Sequence, residues 1–154
     1  MASSARRLIL FLLAGYLPAL SGFFFRPTDW YAHLTKPELN PPNWIFAPVW
    51  TVLYLTIGIA AYLFVAKAEG KMRRDGLLVW FVQLVLNALW PALFFGLKNP
   101  AVALVEIVLL LAGILATILI FRQRSQAAAL LMLPYLAWVG FATYLNAGIW
   151  LINR

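Results

Sequence analysis

Polar and aromatic side chains recur at helical spacing inside long apolar stretches of this chain of 154 residues. Steps of three and four residues place side chains on one face of a helix. Three such faces are present: Phe46, Trp50 and Tyr54; Trp80, Gln83, Asn87, Trp90 and Phe94; and Tyr135, Trp138, Ala142 and Asn146. Aromatic walls with a few polar groups suit a flat, largely apolar ligand that stacks on the rings. If these residues bind a ligand, the chemistry they offer is stacking and hydrogen bonding.

Two interpretations of the three faces stay open on periodicity alone. Aromatic residues at helical spacing also fill the interior of ordinary helix bundles, where they only pack. If the faces surround a ligand instead, Trp50, Trp90 and Trp138 wall a cavity. The hydrogen-bonding groups are then Tyr54, Gln83, Asn87 and Asn146.

The residue sets of conventional catalysis are missing from the sequence. The absence of cysteine excludes disulfides, Cys-ligated zinc, iron–sulfur clusters and thiol catalysis. We also find no Ser/His/acid set, no paired carboxylates within one segment, no phosphate loop and no zinc motif. His33, the only histidine, could ligate an iron porphyrin, but a lone loop histidine is usually solvated. We therefore predict no metal site and no required cofactor.

Glu106 is the only charged residue inside an apolar stretch. A carboxylate within the membrane is a candidate proton site or a partner for a ligand cation. Glu106 also follows Pro100 closely, near the amino terminus of a predicted helix, where the helix dipole stabilises an anion. The structural role is the favoured one, and the functional role stays open.

Five apolar stretches must position these residues. Each runs about 18 to 26 residues, and a helix needs about 20 to cross the hydrocarbon core of a bilayer. They are Leu8–Phe25, Trp44–Ala66, Leu77–Gly96, Ala101–Phe121 and Ala127–Ile152. With 64% hydrophobic and 11% charged residues, the chain is too apolar for a soluble domain. We expect an all-α integral membrane protein, in which residues 1–154 form one bundle of five transmembrane helices in the lipid bilayer.

The basic residues lie mostly on one side of the predicted membrane. Eight of them flank one set of helix ends: Arg6, Arg7, Lys67, Lys71, Arg73, Arg74, Arg122 and Arg124. The four on the other side are Arg26, Lys36, Lys98 and Arg154. The positive-inside rule then predicts a cytoplasmic amino terminus. Because these charges sit at helix ends, the net charge of +7 does not indicate nucleic-acid binding.

A cleaved signal peptide is an alternative for the amino terminus. Arg6 and Arg7, the apolar run and the small residues Ala19 and Ser21 fit such a signal. The apolar run continues to Phe25, however, which is longer than a usual signal core. We therefore expect this stretch to remain as the first span.

The loop Arg26–Asn43 is the only long connection between the spans. Prolines restrict its backbone, and aromatic residues lie within it and at its end. These residues are Trp30, Tyr31, Pro37, Pro41, Pro42 and Trp44. They fit either an aromatic belt at the bilayer surface or an ordered lid over a cavity. The spacing slightly favours the lid.

A row of small residues, Ala88, Ala92 and Gly96, follows the third span. It lies about 170° around the helix from the polar and aromatic face. Small residues let helix backbones approach closely, either within one chain or between two protomers. The row predicts a homodimer interface through this helix, and packing within the monomer is the alternative.

These residues, taken in order, carry a family resemblance. They are Trp30-Tyr31, Leu34, Lys36-Pro37, Pro41-Pro42, Pro48, Trp50, Tyr54, Gln83, Asn87, Trp90, Pro134-Tyr135, Trp138, Ala142-Thr143 and Leu145-Asn146. In this order the chain resembles the tryptophan-rich sensory protein/translocator protein family, whose animal members were called the peripheral benzodiazepine receptor. The resemblance covers nearly the whole chain, from about Leu8 to Asn153.

The resemblance implies five transmembrane helices, usually a dimer, and binding of porphyrins such as protoporphyrin IX. Other ligands of the family are sterols and synthetic isoquinoline or benzodiazepine compounds. It also implies a pocket under the first loop, lined by Trp50, Trp138, Ala142 and Asn146. Family members have been linked to light-dependent porphyrin breakdown, for which the resemblance implies Trp50 and Trp138 as reactive residues.

The carboxyl-terminal cholesterol motif of animal members is not matched, because Tyr144 is too far from Arg154 and Trp150 has no phenol. The reverse pattern, from Arg26 through Tyr31 to Leu34, fits only a weak consensus. A microbial or plastid-linked tetrapyrrole role therefore agrees better with the sequence than a sterol role, and we expect a bacterial cell envelope membrane.

We expect a membrane sensor or regulator that binds porphyrins. Light-dependent porphyrin degradation is the alternative, and transport of tetrapyrroles or sterols ranks last. The expected ligand-binding residues are Trp30, Tyr31, Pro41, Pro42, Phe46, Trp50, Tyr54, Gln83, Asn87, Trp90, Tyr135, Trp138, Ala142 and Asn146.

Overall fold

Long helices make up almost all of the chain. The computed structural model describes residues 2–154. Its helices are α1 (Ala2–Phe24), α2 (Asp29–His33), α3 (Phe46–Val65), α4 (Gly70–Pro91), α5 (Pro100–Arg122) and α6 (Gln126–Ile152). A 3₁₀ turn, Asn43–Ile45, precedes α3, and a π-helical segment, Ala92–Gly96, continues α4. Within residues 2–154 five helices are long and apolar enough to span a membrane. The expected all-α, five-span fold is confirmed.

The helix starts differ most from the apolar stretches in α1 and α4. The first and third stretches begin at Leu8 and Leu77, whereas α1 begins at Ala2 and α4 at Gly70. Lys71, Arg73 and Arg74 have high helix propensity, so the helix extends beyond its apolar part. Charge marks where the apolar span ends, and it does not mark where the helix ends.

The five spanning helices form a closed ring. Around it, α1 packs on α3, α3 on α6, α6 on α5, α5 on α4, and α4 returns to α1. Glycines allow the closest of these contacts: a Cβ on Gly58 would lie 2.7 Å from the carbonyl oxygen of Phe11, and one on Gly15 would lie 2.9 Å from that of Tyr54. The backbones of α1 and α3 are therefore in direct contact at Gly15 and Gly58, and we call this contact the glycine seam.

The half of the bundle away from the first loop is solidly packed. Phe64 of α3 stacks on Phe121 of α5 with ring centroids 4.3 Å apart. Ile114 and Met132 are fully buried beside them, and Gly76 lies against the Phe64 ring. This core holds the helices together and leaves the other half of the ring for a cavity.

The π-helical segment follows from Pro91, which lies inside the continuous helical run. Proline has no N–H to donate and its ring clashes with the preceding turn, so the hydrogen-bond ladder shifts. Leu97 N–H donates to the Ala92 carbonyl at 2.8 Å, which closes the wider turn. As a result Phe94 and Phe95 both lie at the loop end of the bundle, under the first loop.

Candidate functional site: an aromatic cavity under the first loop

A cavity of about 540 Å³ occupies the half of the bundle nearest the first loop. All five spanning helices and the loop contribute to it. Its principal lining residues are Tyr16, Ala19, Gly22, Phe23, Arg26, Tyr31, Asn40, Asn43, Phe46, Ala47, Trp50, Thr51, Tyr54, Asn87, Trp90, Phe94, Phe95, Ile107, Leu110, Trp138, Val139, Ala142, Leu145, Asn146 and Ile149. The lining is mostly apolar, with a small number of amides and phenols.

Stacked and edge-on rings form the walls. Trp50 stacks on Tyr54 with centroids 5.3 Å apart, and Trp90 stacks on Phe94 at 4.7 Å. Across the cavity Trp138 meets the edge of Phe46 at 5.7 Å. Such pairs hold each other in fixed orientations and leave flat faces for a ligand.

A chain of buried hydrogen bonds lies under the cavity. The Tyr54 hydroxyl donates to Asn87 Oδ1 at 3.3 Å, and Asn87 Nδ2 donates to the Tyr135 hydroxyl at 2.6 Å. Tyr135 donates in turn to Gln83 Oε1 at 3.0 Å, and Gln83 Nε2 donates to the Trp80 carbonyl at 2.8 Å. Because α4 and α6 are not neighbours in the ring, these side chains meet across its middle and form a floor.

A second bridge fixes the wall near the loop. Trp90 Nε1 donates to Asn146 Oδ1 at 3.0 Å, and Asn146 Nδ2 donates to the Pro100 carbonyl at 2.7 Å. These bonds link α4, α6 and the start of α5. Asn146 therefore orients the Trp90 ring, which lines the cavity.

Two indole N–H groups are left unused by these contacts, those of Trp80 and Trp138. Each Nε1 is buried and has no hydrogen-bond partner among residues 2–154. Trp138 lines the cavity, but its buried Nε1 is not exposed to the cavity space.

The first loop is an ordered lid that is pinned to the ends of α4 and α6. Thr35 N–H donates to Asn153 Oδ1 at 2.9 Å and its carbonyl accepts from Asn153 Nδ2 at 2.8 Å. Tyr31 meets the edge of Phe95 at 5.4 Å, and Lys36 Nζ lies 4.7 Å from the Tyr31 ring centroid. Burial raises the pKa of the Tyr31 phenol above its usual value, and a hydrogen bond with Asn40 partly offsets this.

The expected ligand-binding residues divide into those that line the cavity and those that support it. The lining ones are Tyr31, Phe46, Trp50, Tyr54, Asn87, Trp90, Trp138, Ala142 and Asn146. Gln83 and Tyr135 lie in the floor. Trp30 packs on Phe94, with ring centroids 5.8 Å apart. Pro41 and Pro42 are not among the lining residues. Trp44, a candidate for the lid, is 73% exposed.

Sequence reasoning missed the contributions of α5, through Ile107 and Leu110, and of α1. Tyr16, Ala19, Gly22 and Phe23 line the cavity, although the first span carries no polar stripe. Small residues three apart, Ala19 and Gly22, were the available signal.

The remaining candidates lie away from the cavity lining. His33 is exposed, and its Nδ1 lies 2.6 Å from the Asp29 carbonyl oxygen. Glu106 is buried on α5, and neither carboxylate oxygen has a hydrogen-bond partner among residues 2–154. Among those same residues, no cluster of His, Cys, Asp and Glu side chains could hold a metal ion.

The small-residue row faces outward for part of its length. Ala88 and Ala92 are half-buried, next to the exposed residues Val85 and Leu89. Gly96, however, lies against the Phe25 ring of the same chain. At that position the close approach serves packing between α4 and the end of α1.

Comparison with known proteins agrees with this architecture. The sequence model of the TspO/MBR family matches residues 8–151. The chain is 43% identical over 135 residues to the tryptophan-rich protein TspO of Chlorobaculum tepidum, covering 86% of this chain and 85% of that protein. It is 42% identical over 152 residues to the tryptophan-rich protein TspO of Archaeoglobus fulgidus, covering 96% and 97%. The translocator protein of Bos taurus is 39% identical over 150 residues, covering 90% and 86%. With its match over most of the five-helix bundle, the chain belongs to the TspO/MBR family.

Proposed function

We propose that this protein is a membrane sensor or regulator that binds a flat, apolar tetrapyrrole such as protoporphyrin IX in the aromatic cavity. The observation that carries the proposal is the convergence of Trp50, Trp90 and Trp138 on one cavity that lies under an ordered lid. Indole faces stack on extended ring systems, and this stacking does not require a metal or a charged anchor. No additional cofactor is needed, since the porphyrin itself is the ligand.

The size and polarity of the cavity support a ligand of this class. Pockets for small ligands typically measure about 300–1,000 Å³ and are mostly apolar, with a few polar groups that fix orientation. The cavity of about 540 Å³ falls within that range. Arg26 lines the cavity at its loop end, where its guanidinium is placed to pair with a carboxylate of the ligand.

Titration of the purified protein with protoporphyrin IX, in the dark, tests this proposal. We expect saturable binding, and we expect Trp50→Phe and Trp138→Phe each to weaken it. Loss of an aromatic contact costs about 0.5–1.5 kcal/mol, so Kd should rise about two- to tenfold. Trp44→Phe is the matched control because this indole is exposed outside the cavity.

The outcomes separate the candidate functions. Absence of saturable binding, or unchanged affinity in both cavity variants, would contradict the proposal. Repeating the titration under light examines porphyrin degradation, which is the second candidate because both tryptophans line the same cavity. Bleaching that requires the protein and is lost in Trp138→Phe would assign a photochemical activity. A stable spectrum under light would favour a sensor.

The same proposal includes an assembly and an orientation. We expect a homodimer through the outer face of α4, and a cytoplasmic amino terminus in a bacterial cell envelope membrane. The exposed apolar residues of α4 support the dimer, and the excess of basic residues at the end of the bundle away from the lid supports the orientation.

A further inference from the structure

The lid leaves one side of the cavity uncovered. Its contacts pin it to the ends of α4 and α6, through Phe94, Phe95 and Asn153. Eight residues both line the cavity and are exposed at the surface of the bundle. Phe25, Arg26, Pro27 and Asn43 lie at the two ends of the first loop, next to the end of α1 and the start of α3, and the other four belong to these two helices. These four are Gly22 and Phe23 on α1, and Ala47 and Thr51 on α3. A residue with both properties marks an opening, so the cavity opens between α1 and α3.

The two helices are held together just below this opening. The glycine seam at Gly15 and Gly58 brings their backbones into contact. One residue further along α1, the Tyr16 hydroxyl donates to the Thr51 carbonyl at 2.8 Å. Beyond that hydrogen bond the lining residues of α1 and α3 at the gap are Ala19, Gly22, Phe23, Ala47 and Thr51, of which only Phe23 is large. A Cβ added at Gly22 would meet no atom within 4 Å. The opening therefore begins directly above Tyr16.

The opening lies on the side of the bundle, at the depth where hydrocarbon meets headgroups. Thr51 is five residues into α3, which places it about 7.5 Å from the start of that helix. An apolar compound concentrates in this layer of a bilayer, and its charged end stays near the headgroups. An opening here faces lipid molecules, whereas the end of the bundle that faces water carries the lid.

Arg26 stands at the rim of the opening. Its Nε donates to the Phe23 carbonyl at 2.9 Å, and its guanidinium lies 4.3 Å from the Phe23 ring centroid. These contacts fix the head of the side chain, and its terminal nitrogens have no hydrogen-bond or ion-pair partner among residues 2–154. A guanidinium in that position suits a carboxylate.

We propose that the gap between α1 and α3 is a lateral opening through which ligands reach the cavity from the lid-side half of the bilayer. The class of ligand that fits is a membrane-dissolved amphiphile with a flat apolar body and a carboxylate end that pairs with Arg26. This proposal rests on the proposed function, because it assumes that the cavity is the binding site. It adds the route by which the ligand reaches the cavity.

Blocking the opening should slow both the association and the dissociation of the ligand. In proteoliposomes, porphyrin fluorescence follows the association and dissociation of protoporphyrin IX. We expect Gly22→Trp, whose indole adds bulk at the gap, to slow both rate constants. The slowing should be on the order of tenfold, within the decades over which association rates vary among mutants of one complex. Because Gly22 also lines the cavity, the diagnostic result is that both rate constants fall, with a change in Kd that is smaller than the change in either rate constant.

Gly140→Trp is the matched control. Gly140 also lies within a spanning helix, a Cβ there also meets no atom within 4 Å, and it does not line the cavity. We expect wild-type rates for this variant. Ala47→Trp blocks the opening from α3 and gives the same test if Gly22→Trp does not fold. In wild-type protein, the association rate should follow the ratio of ligand to lipid.

The possible negative results distinguish a failure of the lateral opening from a failure of the proposed function. Wild-type rates in Gly22→Trp and Ala47→Trp, with saturable binding retained, would overturn the lateral opening and leave the proposed function standing. A weaker Kd caused by faster dissociation alone would also overturn it, because the indole would then occupy the binding site. Absence of saturable protoporphyrin IX binding in the wild-type protein would overturn both proposals together.

Discussion

Tyr135 both donates and accepts a hydrogen bond at the centre of the bundle, and it joins Asn87 to Gln83. Helical spacing placed these three residues on inward faces, which is where they lie. Spacing could not show that they bond to one another, because that depends on how α4 and α6 face across the ring. The polar groups expected to meet a ligand therefore largely hold the aromatic walls in place, and Trp138 Nε1 is left without a partner.

Replacement of Tyr135 by Phe should destabilise the floor. The change removes the donor to Gln83 and the acceptor for Asn87, while the ring and its packing remain. Hydrogen bonds between membrane helices contribute roughly 0.6 kcal/mol each on average, with a maximum near 1.7, so the loss should be about 1–2 kcal/mol. Unfolding in detergent, followed by circular dichroism, measures it.

Tyr144→Phe is the control for this change, since Tyr144 is 46% exposed on the same helix. We expect the control to unfold with the wild-type protein and Tyr135→Phe to unfold earlier. Equal stability of the two variants would mean that the floor contributes no net free energy.

At the scale of elements, hydropathy predicted the five spans because a membrane demands about 20 apolar residues from each helix. Hydropathy could not predict where each helix begins and ends or how its terminal turns are hydrogen-bonded. The basic extension of α4 back to Gly70 and the π-helical segment after Pro91 depend on local hydrogen bonding, which hydropathy does not report. The covering of Gly96 by Phe25 depends on where α1 ends.

The outer face of α4 is the expected dimer contact. The helix packs within the chain on α1 and α5, and the residues that it leaves exposed include Leu78, Val85 and Leu89. A tryptophan at Val85 would keep two such faces apart, since close packing is the main attraction between helices in lipid. We expect Val85→Trp to shift a dimer toward monomer, as measured by light scattering in detergent.

Val108→Trp makes the same exchange on the exposed face of α5, at a residue that is 51% exposed. This control should keep the wild-type mass. A monomeric wild-type protein would contradict the expected dimer, and a dimer that survives Val85→Trp would require another interface.

At the scale of the whole molecule, the distribution of charge predicts how the bundle lies in its membrane. The lid and the cavity occupy one end, and the eight basic residues that flank the other end give it the stronger attraction to the cytoplasmic side. The ring order of the helices was not predictable, because short connections allow several arrangements of five antiparallel neighbours. The glycine contact between α1 and α3 selects the pairing that is observed.

Single cysteines can report the orientation without background, since the natural chain has none. Glu38 is exposed on the lid and Arg124 is exposed at the opposite end. In intact bacterial cells with an accessible envelope membrane, a membrane-impermeant maleimide should label Glu38→Cys at once. It should label Arg124→Cys only after the membrane is permeabilised. The reverse pattern would invert the predicted topology.

The solid half of the bundle makes the cavity a blind-ended chamber. Below the floor formed by Tyr54, Asn87 and Tyr135, the interior is filled by side chains such as Phe64 and Phe121. A ligand bound above the floor would therefore lie within one leaflet. Water that enters the cavity with it would be stopped by the packed side chains below the floor. If the cavity takes up its ligand from the membrane as we propose, the packed half of the bundle keeps that route from becoming a path for ions or protons.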